Sequence, residues 1–186
     1  MKEPYQIVAV SDSSGAIYDK NGLDIPFVIS HKKEFGTVCN YGNCLNLTDE
    51  ELFSLDVDIL VPAALENAIS LKRAKKIKAK IILELANGPI TNEAEEYLLK
   101  NNAIIIPDVL ANAGGVTVSY FEWVQSKSGD IWDSKVVQSK LKSILTRAYY
   151  DLDRIQKQYK TDMRKAAYIL AISRISRAME LRGIEN

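Results

Sequence analysis

A strand–helix–strand unit is visible in residues 81–107, whose sequence is IILELANGPITNEAEEYLLKNNAIIIP. Its first segment, Ile81–Leu85, is of strand length and apolar except for Glu84, and Ala103–Ile106 is a second apolar run before Pro107 stops it. Between the two segments, Thr91 is placed to cap a helix. Strands that are joined through a helix in this way usually lie parallel, with the helix covering one face of the sheet.

The rest of the first half continues this alternation of strands and helices. Two further apolar segments, Gln6–Ser11 and Val57–Val61, predict buried strands, and Pro62 stops the second. Strands without polar alternation, separated by helices, indicate a parallel sheet covered on both faces. The helices predicted between them are Ile25–Glu34 capped by Asp24, a short helix begun by the capping box of Thr48–Glu51, and Ala68–Ile77.

The second half changes character, and from about Asn112 the pattern is helical only. Thr161 is placed to cap a last helix, which Gly183 closes. We therefore predict an α/β fold, in which a partial doubly wound, mainly parallel sheet is followed by C-terminal helices. An apolar stripe with spacings of three and four comprises Val137, Leu141, Ile144, Leu145, Ala148, Leu152 and Ile155.

Composition restricts the classes of protein to which the chain can belong. With 186 residues, of which 47% are hydrophobic, it is an ordinary globular chain, long enough for one sizeable domain. Lys+Arg and Asp+Glu both number 24, and this zero net charge argues against binding nucleic acid through bulk charge. No apolar run reaches the roughly 18 residues of a membrane helix, and Met1–Tyr5 lacks a signal-peptide core. We expect neither nucleic acid nor membrane as a partner, and a cytoplasmic location.

Cys39 and Cys44 are the only cysteines, and His31 is the only histidine. This set is too small for a zinc site, so no metal is predicted. Two free thiols are the expectation, although a disulfide stays open. His31 stands among polar and basic neighbours and is predicted to be a surface residue. The sequence offers no convincing nucleophile–histidine pair.

Ligands of a doubly wound sheet bind beyond the carboxyl ends of its strands. In the segment that follows the first predicted strand, Ser11–Gly15, Asp12 either binds the ribose hydroxyls of an adenosine or is an ordinary turn aspartate. Ser13 and Ser14 leave open a 2′-phosphate at the same place. In a later segment, Asn87 either bonds a carboxamide or ribose or belongs to a turn that uses Asn, Gly and Pro for their dihedral angles. The segments that qualify are Ser11–Gly15, Pro62–Asn67, Ala86–Pro89 and Pro107–Gly115.

The stretch NAGGVTVS, residues 112–119, is the most informative. Helical spacing places Asn112, Val116, Ser119 and Trp123 on one face. That face offers an amide, an apolar patch and a hydroxyl, which suit a small polar substrate beside a nicotinamide ring. The alternative is a helix packed tightly on a neighbour, with Ser119 bonded back into its own helix.

Two adjacent glycines lie near the start of this predicted helix. Gly114 and Gly115 each cost a helix roughly 1 kcal/mol relative to Ala. Either tight packing or the close approach of a ligand would explain them.

Several motifs together resemble glutamate dehydrogenases over essentially the whole chain. The segment VAVSDSSG at residues 8–15 is similar to the second strand of their nucleotide domain, and DILVPAA at 58–64 and ANGP at 86–89 follow in the expected order. The strongest match is NAGGVTVSYFEW at 112–123, and DMRKAAY at 162–168 also fits. Leucine, phenylalanine and valine dehydrogenases share Asn-Ala-Gly-Gly, whereas the segment Ser119–Trp123 favours glutamate dehydrogenase.

The resemblance implies roles for the matching residues. Asp12, with Ser13, would bind the adenosine ribose. Asn87 and Asn112 would hold the nicotinamide end, while Val116 and Ser119 would contact the methylene chain and distal carboxylate of the substrate. The residues implied to line the cofactor path are Pro62, Ala63 and Ala64. The implied cofactor is NAD or NADP, with NAD favoured, and the implied reaction interconverts glutamate with 2-oxoglutarate and ammonia.

The sequence also departs from the family pattern. Leu85 stands where the family usually has Gly, and it adds bulk near the cofactor loop. The chain has no G-x-G-x-x-G motif, and nothing in it replaces the catalytic lysine and proton donor of the family's separate substrate domain. We therefore expect a C-terminal portion cut inside its nucleotide domain, with no catalytic residues, weak cofactor affinity and no activity by itself.

The chain is predicted to have two parts. Residues 1–111 would form a partial dinucleotide-binding domain, and residues 112–186 a helical segment packed on it. Strand edges left open by the missing strand would favour self-association, and a homo-oligomer is expected. The alternative function is a non-catalytic remnant or split-gene subunit, acting only with a partner that carries the missing substrate domain.

Overall fold

The computed structural model describes residues 5–183, and these divide into two compact units. The first unit contains the described residues up to Asp56 together with Arg73–Lys78, and the second contains Val57–Lys72 and the residues from Ala79 onward. Among the described helices, none has both the length and the apolar character needed to cross a membrane.

The first unit is built on a small antiparallel sheet. Its strands β1 (Ala9–Asp12), β2 (Gly15–Tyr18) and β3 (Leu45–Leu47) lie in that order. Helix α1 (Ile25–Phe35) is capped by Asp24 as predicted, and the capping box of Thr48 starts α2 (Asp49–Leu52). The core of this unit contains Ile17, Val28 and Val38.

The predicted strand Gln6–Ser11 was wrong in its bounds and in its pairing. Strand β1 begins at Ala9 and pairs antiparallel with β2, so it does not belong to a parallel sheet. The cause is the turn that follows, in which Asp12 Oδ1 accepts the N–H of Ser14 and Gly15 adopts a φ of 145°. The chain then folds straight back, and Ile17 of β2 takes the fully buried position.

The second unit contains the predicted parallel sheet. Strands β4 (Ile59–Leu60), β5 (Ile81–Leu83) and β6 (Ile104–Ile106) lie side by side in this order, and both pairings are parallel. Helix α4 (Asn92–Lys100) connects β5 to β6, which confirms the strand–helix–strand unit. Ile82 at the centre of the sheet is fully buried.

Helices fill the rest of the chain. A short α3 (Leu71–Ala74) precedes β5, and α5 (Asp108–Ala111) follows β6 directly. The long helices are α6 (Ala113–Ser128), α7 (Ser134–Tyr159) and α8 (Met163–Leu181). Parallel strands followed by helices confirm the predicted α/β class, whereas a domain boundary at residue 111 stays a prediction.

Three local predictions were wrong in detail. The helix predicted over Ala68–Ile77 is reduced to α3, because Ile69 forms a parallel bridge with Ile90. The side chain of Thr91 makes no cap bond, and its hydroxyl is buried without a hydrogen-bond partner. The cap of α8 is Asp162 rather than Thr161, since Asp162 Oδ1 accepts the N–H of Lys165 at 2.8 Å.

Helices α5, α7 and α8 pack around one apolar cluster. Leu110, Leu152 and Met163 are buried together, and Leu152 belongs to the stripe predicted for α7. Other members of that stripe stay open, as Ile144 is 44% exposed. Gly183 adopts a positive φ just beyond the end of α8, in agreement with the predicted helix end.

Candidate functional site

Two amides far apart in sequence meet where β5 and β6 end. Asn87 lies in the bend that follows β5, and Asn112 lies between α5 and α6. The Nδ2 group of Asn112 donates to Oδ1 of Asn87 at 2.6 Å. The structure thus brings together the two residues that were expected to hold the nicotinamide end.

Asn112 occupies the N-cap position of α6, but its side chain does not cap that helix. Asn is among the residues that best cap a helix, through bonds from its side-chain oxygen to first-turn N–H groups. Here the side chain reaches across to Asn87 instead. The first turn of α6 therefore lacks the side-chain cap that its own sequence could supply.

The bend that carries Asn87 is held on both sides. At its start, Leu85 and Ala86 both donate their N–H groups to the carbonyl of Pro62, at 3.0 and 2.9 Å. At its far side, Gly88 N donates to Asp108 Oδ2 at 2.8 Å. Pro62 is buried, and these bonds join the carboxyl ends of β4, β5 and β6 at one edge of the sheet.

Ala63 and Ala64 follow Pro62 at the same edge, and both are exposed. Leu85 is 42% exposed beside the Asn87 bend. Its φ is not positive, so the backbone here does not require the glycine that was expected from the family pattern. The bulk of the leucine side chain is the only consequence of this departure that the structure reveals.

An arginine that lies within the family-like motif at 162–168, but to which the sequence assigned no role, contacts residues at this edge. Arg164, in the first turn of α8, donates Nη2 to Glu84 Oε2 at 2.6 Å, Nη1 to Asp108 Oδ1 at 2.7 Å and Nε to Glu95 Oε1 at 2.8 Å. Glu84 is fully buried, and its Oε2 also accepts the N–H of Asp108 at 2.8 Å. One guanidinium thus ties α8 to the end of β5, to α4 and to the start of α5. Charged residues at the end of an apolar strand were the signal that could have revealed this cluster.

The cluster has an unequal charge balance, with three carboxylates around one guanidinium. Burial raises the pKa of Glu84, against the opposing effect of its bonds from Asp108 and Arg164, and its Oε1 is buried without a partner. For Asp108, burial opposes the charge, but the bonds from Gly88 and Arg164 outweigh it and lower the pKa. Burial also disfavours the charge of Arg164, yet Glu95 and Glu84 raise its pKa.

The helix face predicted to meet a substrate lies on α6. Val116 is 70% exposed, Ser119 is exposed, and Trp123 stacks on Tyr120 with ring centroids 5.9 Å apart. The hydroxyl that bonds back into this helix is that of Thr117, which donates to the carbonyl of Ala113. The face is open along its length.

The two glycines of α6 have different surroundings. A Cβ on Gly114 would lie 3.9 Å from Leu145 Cδ1, which is an ordinary contact. A Cβ on Gly115 would have nothing within 4 Å among the described residues. Packing of the chain on itself therefore does not explain Gly115.

In the first unit, the carboxylate of Asp12 is already engaged. Oδ1 accepts the N–H of Ser14, and Oδ2 accepts the N–H of Val38 at 2.9 Å. Oδ2 also forms an ion pair with the ammonium group of Lys32. The bond from Lys32 is the main reason why the pKa of Asp12 is lowered, although burial acts against it. Ser13 is exposed in the adjoining turn. A ribose hydroxyl would have to share Asp12 with these donors.

The histidine packs against aromatic rings, and the two cysteines are not joined by a disulfide. His31 is half-buried rather than on the surface, because it packs against Phe35 and Tyr41 and its Nε2 lies 3.0 Å from the carbonyl of Cys39. Cys39 and Cys44 are both free thiols, so the disulfide alternative is not realised.

Comparison with known proteins identifies the family. The family model for glutamate/leucine/phenylalanine/valine dehydrogenase matches residues 1–183. The chain therefore belongs to this family of amino-acid dehydrogenases.

Similar curated proteins are glutamate dehydrogenases. The glutamate dehydrogenase of Thermotoga maritima is 51% identical over 179 residues, which cover 96% of this chain and 43% of the relative. An NAD-specific glutamate dehydrogenase of Staphylococcus aureus is 47% identical over 96% of this chain, and an NADP-specific one of Synechocystis is 42% identical over 98%. They are covered over 43% and 45% of their own lengths. The chain thus spans less than half the length of the curated relatives that it matches.

Solved structures agree with this assignment. A hetero-hexameric glutamate dehydrogenase from Thermus thermophilus in a Leu-bound form superposes with a TM-score of 0.89 at 34% identity, over 97% of this chain and 42% of that one. The glutamate dehydrogenase of Peptoniphilus asaccharolyticus gives a TM-score of 0.81, also at 34% identity, with the same two coverages.

Proposed function

We propose that this chain is the nucleotide-binding part of an NAD(P)-dependent glutamate dehydrogenase. The enzyme would convert glutamate to 2-oxoglutarate and ammonia by hydride transfer to the nicotinamide. The observation that carries the proposal is the contact between Asn112 and Asn87 at the carboxyl edge of a parallel sheet. Family membership and relatives that are named as NAD-specific or NADP-specific glutamate dehydrogenases support it.

In the second unit, Asn87 and Asn112 would orient the nicotinamide end through their amides. Their mutual bond leaves Asn87 Nδ2 and Asn112 Oδ1 as a donor and an acceptor for a carboxamide or ribose hydroxyl. Pro62, Ala63 and Ala64 would border the cofactor where small side chains let it approach the backbone. In the first unit, Asp12 and Ser13 would take the adenosine ribose. The bound cofactor supplies the redox chemistry.

The open face of α6 would serve the substrate. Val116, which is 70% exposed, presents apolar surface for methylene groups, and Ser119 one turn further presents a hydroxyl for a carboxylate. The role of both residues is to position the substrate rather than to move protons.

By itself this chain would not turn over glutamate, because none of its proposed site residues is a proton donor placed beside the reacting carbon. A homo-oligomer in the cytoplasm is part of the proposal. The second candidate is a subunit that acts only with a partner supplying the substrate domain.

The proposal is tested by titrating the chain with NADH and with NADPH, followed by an assay for glutamate oxidation. We expect saturable but weak binding, in the high micromolar range or above, and no turnover. Asn87→Ala should weaken binding about tenfold, since hydrogen bonds to a ligand are worth about 1–1.5 kcal/mol. The matched control is Asn101→Ala, because the side-chain Nδ2 of Asn101 donates to the carbonyl of Tyr97 at the end of α4. No saturable binding of either nucleotide, or equal effects of the two variants, would contradict the proposal.

A further inference from the structure

The first turn of α8 is joined to the bend that carries Asn87 through a short path of hydrogen bonds. Arg164 Nη1 donates to Asp108 Oδ1 at 2.7 Å, and the other oxygen of that carboxylate accepts the N–H of Gly88 at 2.8 Å. Gly88 follows Asn87 directly in the chain. Two hydrogen bonds and one carboxylate therefore separate the guanidinium from the bend.

The carboxylate of Asp108 cannot rotate freely in this arrangement. Its Oδ1 also accepts the N–H of Val109, and its backbone N–H donates to Glu84 Oε2, which Arg164 holds as well. Both the backbone and the side chain of Asp108 are thus fixed relative to Arg164. The side chain of Arg164 is 19% exposed, so water competes little for these bonds.

Only arginine fits this position well. A planar guanidinium with five N–H donors can bind three separate carboxylates at once, whereas an ammonium group is a point charge on a flexible stem. Its charge also offsets the repulsion among Glu84, Glu95 and Asp108, which lie around it. Without that charge, Asp108 would be driven away from the other two carboxylates and from Gly88.

We propose that Arg164 is a positioning residue for the nicotinamide end of the cofactor, which it controls by holding Asp108 against Gly88 and so fixing the bend that presents Asn87. The inference deepens the proposed function and rests on it. It assigns the effect to one end of the dinucleotide: the adenosine end, proposed at Asp12, does not depend on Arg164.

The test compares Arg164→Met and Arg164→Lys with Arg174→Met in the full 186-residue chain. Arg174 is the matched control, because it also lies on α8 and pairs with a single carboxylate, that of Asp151, at the surface. The probes are nicotinamide mononucleotide and AMP, titrated separately. Hydrogen exchange at the Gly88 amide reports the bend without any ligand, and the amide of Ile104, bonded to the carbonyl of Lys80 at the other end of the sheet, is the reference.

We expect Arg164→Met to lower the affinity for nicotinamide mononucleotide about tenfold and to change the affinity for AMP by less than about twofold. Exchange at Gly88 should accelerate about tenfold with Ile104 unchanged. Arg164→Lys should give a smaller change of the same kind, and it replaces the methionine variant if that variant does not fold. Arg174→Met should change none of these quantities.

Two results would overturn the inference. One is a folded Arg164 variant with unaltered Gly88 exchange. The other is an equal loss of affinity for both probes together with faster exchange at Ile104, which would show that Arg164 stabilises the fold in general. If the unsubstituted chain bound neither probe, the proposed function would fail, while the exchange rates at Gly88 would still decide whether Arg164 fixes the bend.

Discussion

Asn112 stands at the N-cap of α6, yet its side-chain amide bonds Oδ1 of Asn87 at 2.6 Å, across 25 residues of sequence. Asp162, at the corresponding position of α8, does cap its helix by accepting the N–H of Lys165. The two N-cap residues therefore contribute to stability in different ways. One stabilises a helix, and the other stabilises an arrangement of two amides at the edge of the sheet.

This difference is measurable as stability. Asp162→Ala should lower the free energy of unfolding by about 1 kcal/mol, the usual cost of losing a side-chain cap. Asn112→Ala should cost about 0.5 kcal/mol or less, since only an exposed hydrogen bond is lost. Denaturant unfolding of both variants checks the prediction. Equal losses would mean that Asn112 caps α6 in solution.

The glycines of α6 give a second prediction. Gly115→Ala should raise the free energy of unfolding by about 0.5–1 kcal/mol, because alanine favours the helix and its Cβ would lie more than 4 Å from every described atom outside the adjoining residues and helix backbone. The same substitution should weaken binding of NADH if Gly115 faces the ligand. Gly114→Ala is the control, since its Cβ would only touch Leu145. If the Gly115→Ala variant were more stable but bound NADH with unchanged affinity, the approach of a ligand would not explain this glycine.

The stability of the first unit should depend on pH through Asp12. Its pKa is lowered in the folded chain, chiefly by the bond from Lys32. A carboxyl group of this kind stabilises the fold above its ordinary value of 3.8 and loses that contribution as the pH falls through the folded-state pKa.

Asp12→Asn should therefore be less stable than the unsubstituted chain by about 1–3 kcal/mol at pH 7. The difference should shrink steadily as the pH falls below about 4. Lys32→Met should reduce the same pH dependence, because Lys32 is its main cause. Parallel stability curves for the Asp12→Asn variant and the unsubstituted chain between pH 7 and acid would contradict this prediction.

Leu85 supplies a prediction about the cofactor loop. Its backbone does not need glycine, and its side chain is 42% exposed beside Asn87. Leu85→Gly should strengthen nicotinamide binding roughly threefold by removing bulk, and should cost about 0.5–1 kcal/mol of stability through chain entropy. Leu85→Ala should give an affinity and a stability between those of the Leu85→Gly variant and the unsubstituted chain. Unchanged affinity across this series would show that Leu85 points away from the cofactor.

The parallel sheet was predictable because its signals are local. Ile81–Leu85 and Ala103–Ile106 are apolar runs flanked by helix caps and prolines, and the structure places β5 and β6 within them. The antiparallel hairpin at Asp12 was missed because pairing depends on the turn. An apolar run alone does not reveal whether the chain continues into a helix or folds back.

The candidate site was predictable only in part for a similar reason. Asn87 and Asn112 are visible as amides at strand and helix ends, and their meeting follows from the sheet. Glu84 at the end of β5 was visible as a charge in an apolar strand, but nothing in the sequence connects it to Arg164, whose carboxylate partners are spread from residue 84 to residue 108. Only the packing of α8 against the sheet shows that one guanidinium serves three carboxylates.

The most direct test of the central claim is an NMR titration of the unsubstituted chain with nicotinamide mononucleotide. The side-chain amide signals of Asn87 and Asn112 and the backbone amide of Gly88 would be followed, with the Asn101 amide as the internal reference. We expect saturable shifts of the first three signals, while the Asn101 signal stays fixed. Saturable binding that moved other signals and left Asn87 and Asn112 in place would contradict it.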